Sequence, residues 1–141
     1  MKAFILDTNV ALRFLLADDP DQSPNAKGLF ELADEGKIQL HLSHVALAEL
    51  VWTLDSFFEF PRLDIGTTLR GLVLHDGIVI KDQDVVLSAL ERFGRVNVDF
   101  PDCYAASLAS AQSCMVTSYD RDFRKLKDVT CKTPDEILAE S

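Results

Sequence analysis

The sequence predicts an α/β fold, a three-layer α/β/α sandwich around a mainly parallel central sheet. Short apolar runs at Phe4 to Leu6, Ile38 to Leu42 and Ile78 to Ile80 alternate with longer segments whose apolar residues recur at helical spacing. Parallel strands need crossovers of a dozen residues or more, and right-handed helical crossovers cover both faces of the sheet. No repeat, low-complexity tract or linker breaks the alternation. The 141 residues, 48% of them hydrophobic, suit one domain spanning 1–141 around one sizeable core.

The elements follow in order. The opening strand ends at Leu6, and Asp7-Thr8-Asn9 leads into a helix carrying Val10, Ala11, Leu12, Phe14, Leu15 and Leu16, which Asp18-Asp19-Pro20 terminates. Asp21 to Pro24 reads as a turn, and a second helix from Ala26 runs to a stop at Gly36. After the strand Ile38 to Leu42, Ser43 caps the most apolar helix in the chain, with Val45, Ala46, Leu47, Leu50, Val51, Trp52 and Leu54. Helical spacing resumes from Leu63 to Leu74, and His75-Asp76-Gly77 turns the chain into a strand at Ile78 to Ile80. Val85 to Phe93 makes another helix. Asn97 to Phe100 forms a loop into Pro101, which suits a first helical turn. The alanine- and serine-rich helix after it precedes a short strand at Met115 to Thr117, a helical turn opening at Asp120, a last strand at Val129 to Cys131 and a short helix from Pro134.

Composition narrows the function. With 14 Lys and Arg against 23 Asp and Glu, the net charge of −9 argues against gripping nucleic acid by bulk charge. Cys103, Cys114 and Cys131 form no CxxC pair, and their odd number fits reduced cytoplasmic thiols, read here as small buried hydrophobes. His41, His44 and His75 lack the spacing of a zinc site. The Ala3 to Leu6 run is too short for a signal-peptide core or a membrane span, so no membrane association is expected.

Four carboxylates stand out by position. Asp7 and Asp120 both follow strands, Glu49 lies in the second turn of a helix entered from a strand, and Asp102 lies in the first turn of its helix. Each has a local structural explanation. Asp7, Asp102 and Asp120 suit helix N-termini, with Asp99 an alternative cap, and Glu49, whose helical neighbours Val45, Ala46, Trp52 and Thr53 make it project from a largely apolar face rather than the solvent side, could be held in an ion pair. In a parallel sheet, however, all four gather at the carboxyl edge, where open α/β folds bind ligands. Converging carboxylates repel unless cations sit among them, and an all-oxygen set favours Mg²⁺ or Mn²⁺. Such a site serves phosphodiester cleavage. Between Asp120 and Lys132, five basic side chains face three acidic ones, so Arg121, Arg124 and Lys125 are candidate phosphate contacts, joined by Arg13 one helical turn beyond Asn9. Asp122 adds a second carboxylate on the Asp120 turn.

Taken together, Leu6-Asp7-Thr8-Asn9, Ala48-Glu49-Leu50, Asp99-Phe100-Pro101-Asp102-Cys103-Tyr104-Ala105-Ala106 and Thr117-Ser118-Tyr119-Asp120-Arg121-Asp122-Phe123 resemble a PIN domain, and within that family the small ribonuclease toxins of the VapC type. The order and spacing of these segments over nearly the whole chain carry the resemblance. It implies that Asp7, Glu49, Asp102 and Asp120 form the acidic quartet holding Mg²⁺ or Mn²⁺, that Ser118 lies near the metal water and that Asn9 supports Asp7. It also implies endonucleolytic cleavage of RNA, a homodimer, and inhibition by a small antitoxin protein. Pro101 departs from the small residue many relatives carry before the third acidic position. Trp52, Phe57, Phe58 and Phe60 exceed what a small core needs and suggest a dimer or antitoxin surface, the interior being the other reading.

Two rival readings remain at this level. A phosphoacceptor receiver-type signalling domain would use Asp82 and Lys132, but it lacks a second carboxylate after the first strand and leaves Glu49 unexplained. A catalytically silent PIN-like binding module is opposed by the intact quartet.

Overall fold

The structure, a computed structural model, describes residues 1–141. Strands β1 (Lys2–Ile5), β2 (Ile38–His41) and β3 (Ile78–Val79) form a parallel sheet in the order β1-β2-β3, with Lys2 opposite Ile38 and Leu40 opposite Ile78. Strands β4 (Val116–Thr117) and β5 (Cys131–Lys132) form a second parallel pair. Every strand pair is parallel, as expected, but the sheet comes in two pieces and β1 is an edge strand. The last strand starts two residues later and ends one residue later than the Val129 to Cys131 run suggested.

The helices are α1 (Thr8–Leu16), α2 (Gln22–Asp34), α3 (His44–Trp52), α4 (Arg62–Val73), α5 (Gln83–Arg95), α6 (Phe100–Gln112) and α7 (Pro134–Ala139). Several begin on caps. Asp7 accepts from the Asn9 amide at 3.3 Å and Ser43 from the Ala46 amide at 3.1 Å, while Thr133 and Glu136 form a reciprocal capping box. Helix α2 starts at Gln22, inside the expected turn at Asp21 to Pro24 and ahead of the expected start at Ala26. Pro24 sits in its first turn, where a missing N–H costs nothing because that amide has no partner inside the helix. Helix α3 runs on into a π-helical turn at Thr53–Phe57, which no sequence pattern announced.

Helices α4, α5 and α6 pack through Ile65, Leu69, Leu90, Phe93, Cys103 and Ala106, all buried. The α4–α5 crossing is close because residue 66 is glycine: a Cβ there would lie 2.9 Å from the Leu90 carbonyl oxygen. At Gly77, φ is +83° and a Cβ would meet Ala33 Cβ at 2.5 Å, so this turn into β3 admits only glycine. Arg62 staples the segment before α6. Its guanidinium donates to the carbonyls of Phe93, Val96 and Val98 and lies 3.7 Å from the Phe93 ring centre, which fixes the chain leading to Asp99 and Asp102. Among the thiols only Cys103 is the buried hydrophobe expected. Burial pushes it up to about 11, whereas Cys114 is exposed and Cys131 half-buried.

Candidate metal centre

The chain leaves β1 at buried Leu6 and presents exposed Asp7 at the N-terminus of α1. The next residue, Thr8, is 7% exposed, and its hydroxyl donates to Glu49 Oε2 at 3.0 Å. Asp7 is thus tied to α1 and Glu49 to Thr8, placing both carboxylates on the α1–α3 side. Glu49 does not project into the interior. It is exposed, and its helical neighbours Val45 and Trp52 are exposed as well, because α3 buries Ala46, Leu47, Leu50 and Val51 instead. Apolar neighbours misled the sequence reading: this outward face of α3 is itself apolar.

The other two carboxylates meet elsewhere. Asp102, in the first turn of α6, has its carboxyl pushed above the ordinary range by burial, then by the charge of Asp120 and of Asp99, by a hydrogen bond with Asp120 and by Asp122. Asp120 ends the segment after β4, where its Oδ1 accepts from the Asp122 amide at 2.8 Å and opens a 3₁₀ turn at Arg121–Lys125. Ser118 Oγ accepts from the Asp120 amide at 2.9 Å, so Ser118 holds the backbone that carries Asp120. Asp122 pairs with Lys125 at 3.3 Å.

The quartet is therefore not assembled into one cluster: no group of three or more His, Cys, Asp or Glu side chains is close enough to hold a metal ion. The donor chemistry suits a hard divalent cation. Mg²⁺ commonly takes one or two carboxylates directly and keeps several waters, so the Asp102–Asp120 pair could bind it directly while further carboxylates act through those waters.

The basic residues are distributed unevenly. Arg121 and Arg124 are exposed and enter no ion pair, whereas Lys125 also donates to the Asn97 carbonyl at 3.2 Å. Arg13 pairs with Asp18 at 3.0 Å, its Nε has no partner, and it lies with Asp7 and Asn9 in a cleft of about 410 Å³ between α1 and α2. Sequence reasoning missed three participants. Thr8 and Asp99 adjoin named residues and could have been found by asking what surrounds each carboxylate. The third is His44, whose Nδ1 lies 2.8 Å from Tyr104 Oη and whose Nε2 lies 2.7 Å from the Lys81 carbonyl oxygen, linking α3, α6 and the end of β3.

Comparison with known proteins adds family membership. The PIN domain family model matches residues 4–129. No curated protein gives a significant match. Among solved structures, the chain resembles the VapBC2 complex of Rickettsia felis bound to a DNA fragment from its promoter, at 16% identity, with a TM-score of 0.40, covering 94% of this chain and 98% of that one.

Proposed function

The chain belongs to the PIN domain family, its match running over residues 4–129, and from that premise we propose that it is a divalent-metal-dependent endoribonuclease, the toxin of a toxin–antitoxin pair. The observation that carries the reading is the Asp102–Asp120 pair, two carboxyls at the start of α6 and just beyond β4, close enough that the charge of Asp120 helps push the Asp102 carboxyl up, a repulsion that a cation would relieve. Asp102 and Asp120 would hold Mg²⁺ or Mn²⁺, with Asp7 and Glu49 completing the set. A cation so bound activates a water and neutralises charge gathering on the scissile phosphate. The chain's own residues do the rest. Thr8 fixes the Glu49 carboxylate, Ser118 fixes the backbone of Asp120, the Asp122 amide orients the Asp120 carboxylate, and Asn9 supplies the amide that orients Asp7. Arg121 and Arg124, free of internal partners, would bear on RNA phosphates beside the site, with Lys125 and Arg13 exchanging internal contacts for phosphate.

Protein partners belong to the same reading. Trp52 is 65% and Phe57 74% exposed, and Phe57, Phe58 and Phe60 adjoin one another in a surface aromatic cluster. A homodimer and a small antitoxin are the proposed occupants of such surface. No helix is long and apolar enough to cross a membrane, and the proposed setting is the cytoplasm.

One observation favours the silent-module reading, namely that the quartet is not assembled into one cluster. The deciding experiment incubates purified protein with a mixed RNA pool and Mg²⁺ or Mn²⁺, beside Asp7→Asn and Asp102→Asn. Cleavage by the wild type that falls at least about 100-fold in both variants, and stops in chelator, is the expected outcome. Cleavage persisting equally in both variants and in chelator overturns the mechanism. The same preparation is expected at twice the chain mass in light scattering.

A further inference from the structure

Phe57, Phe58 and Phe60 lean on one another at the surface, with successive ring centres 4.9 and 6.0 Å apart, but Tyr119 stands by itself. It is 67% exposed, its ring stacks on no other, and its hydroxyl donates to Asp135 Oδ1 of α7 at 2.8 Å. A hydrogen bond at the far tip of a short, stiff side chain fixes the ring, so an apolar face is held in water that burial would otherwise remove from it. The other carboxylates of α7 are engaged within the same unit. Glu136 accepts from the Thr133 amide at 3.1 Å, and Glu140 receives Lys132 Nζ at 2.7 Å. Helix α7 thus buttresses the turn after β4, and Tyr119 is what its Asp135 holds.

The neighbours of Tyr119 in the chain say what such a ring could serve. Ser118 holds the backbone of Asp120, and exposed Arg121 comes next. Asp120 is extended, with φ −73° and ψ 121°, so the side chains of Tyr119 and Arg121 leave the chain on one side and the Asp120 carboxylate on the other, toward Asp102. A fixed aromatic face and an uncommitted guanidinium therefore stand together beside the carboxylates. These are the two parts from which sites for single-stranded nucleic acid are built, a cation for the backbone and a ring for a base.

We propose that Tyr119 is a stacking platform for one unpaired base of the RNA, on a nucleotide flanking the scissile phosphate, with Arg121 on the phosphate of that nucleotide. Inside a duplex the faces of each base are covered by its neighbours, so the platform selects single strands. Every base has a π-face, so it does this without choosing a sequence. Stacking also supplies affinity that a chain of net charge −9 cannot draw from cations alone. The proposal rests on the ribonuclease reading for the identity of the ligand.

Fluorescence anisotropy with a labelled, uncleavable 2′-deoxy-substituted oligonucleotide, and with the same backbone stripped of its bases, tests the platform. Base removal keeps every phosphate, so the difference between the two affinities reports stacking. Tyr119→Leu is expected to bind the base-bearing strand at least about fivefold more weakly than wild type. It should match the wild type on the bare backbone and on the strand paired with its complement, which also shows that the variant is folded. Tyr119→Trp should restore the base-dependent part, and Tyr119→Phe, which keeps the ring and loses the tether, should retain more of it than Tyr119→Leu. Equal wild-type affinity for the two strands, no wild-type binding, wild-type affinity of Tyr119→Leu for the base-bearing strand, or a loss it shows equally on both strands each overturns the proposal. Unchanged RNA affinity with a halved mass in light scattering would make Tyr119 a protein contact instead. RNA cleavage assayed in parallel separates the two ideas. A base-dependent loss in Tyr119→Leu with no cleavage by the wild type leaves stacking standing and removes the nuclease, and cleavage with no base-dependent loss does the reverse.

Discussion

At the scale of single residues, Thr8 shows how a side chain that contributes no charge can decide a site's geometry. It is buried beside an exposed carboxylate, and its hydroxyl is the only hydrogen-bond donor that holds Glu49. A hydrogen bond to a charged acceptor contributes about 1.5–3 kcal/mol, and losing it frees the acceptor to swing. Thr8→Val keeps the shape and removes the donor. Its expected consequence is a drop in kcat of about tenfold or more with little change in KM, because Glu49 is proposed to serve the transition state and not substrate capture. Thr8→Ser, which keeps the hydroxyl, should restore most of the rate. Steady-state kinetics on a defined RNA decides the matter: equal rates for Thr8→Val and wild type would make Thr8 a structural residue only.

Between elements, the contact that anchors the β4–β5 unit is Arg92 of α5. Its guanidinium donates to both Asp128 oxygens at 2.7 Å and to Ser107 Oγ of α6 at 2.9 Å. The Arg92 hydrogen bond is the main reason the Asp128 carboxyl is held below its ordinary range. A carboxyl lowered on folding contributes stability that is present above its unfolded value, near 3.9, and is lost as pH falls through the folded value. Because the Asp128 side chain is 60% exposed, solvent screening limits the pair to about 0.5–1 kcal/mol. Asp128→Asn should therefore unfold more easily than wild type at neutral pH by that amount, and the gap should close below about pH 4. Urea melts at pH 7 and pH 3 measure it, and a gap that persists at pH 3 contradicts the assignment. Such cross-element contacts are also where the sequence falls silent. The helices were legible because apolar spacing and caps such as Ser43 are local signals, and Asp7, Asp102 and Asp120 were legible because they sit at element ends. The π-helical turn leaves no periodic trace. Outward-facing Val45 and Trp52 made Glu49 read as inward. Two-residue strands such as β4 and β5 hold too few residues for alternation to register, and their partners are set by pairing far along the chain.

For the molecule as a whole, the −9 charge sets the terms on which RNA can be held. A protein that binds by bulk charge releases many counterions and loses affinity steeply with salt, with a slope near −0.7 per phosphate contact on single strands. Here Lys125 is engaged with Asp122 and the Asn97 carbonyl, and Arg13 with Asp18. Arg121 and Arg124 are exposed and uncommitted. Two free cations correspond to a slope of about −1.4, and all four, were the internal pairs to exchange for phosphate, to about −3. Affinity of an uncleavable 2′-deoxy-substituted oligonucleotide, measured by fluorescence anisotropy across a salt series at fixed Mg²⁺, should fall between these limits. Arg121→Ala and Arg124→Ala should each flatten the slope by about 0.7, whereas Lys127→Ala, on a side chain given no phosphate contact, should leave it unchanged. A slope steeper than about −5 would mean that a larger basic surface holds the RNA, and an unchanged slope in both arginine variants would move the contact away from the turn after β4. With so few cations available, the proposed divalent ion at the carboxylates would supply much of the attraction, so chelation should weaken binding more than doubling the salt does.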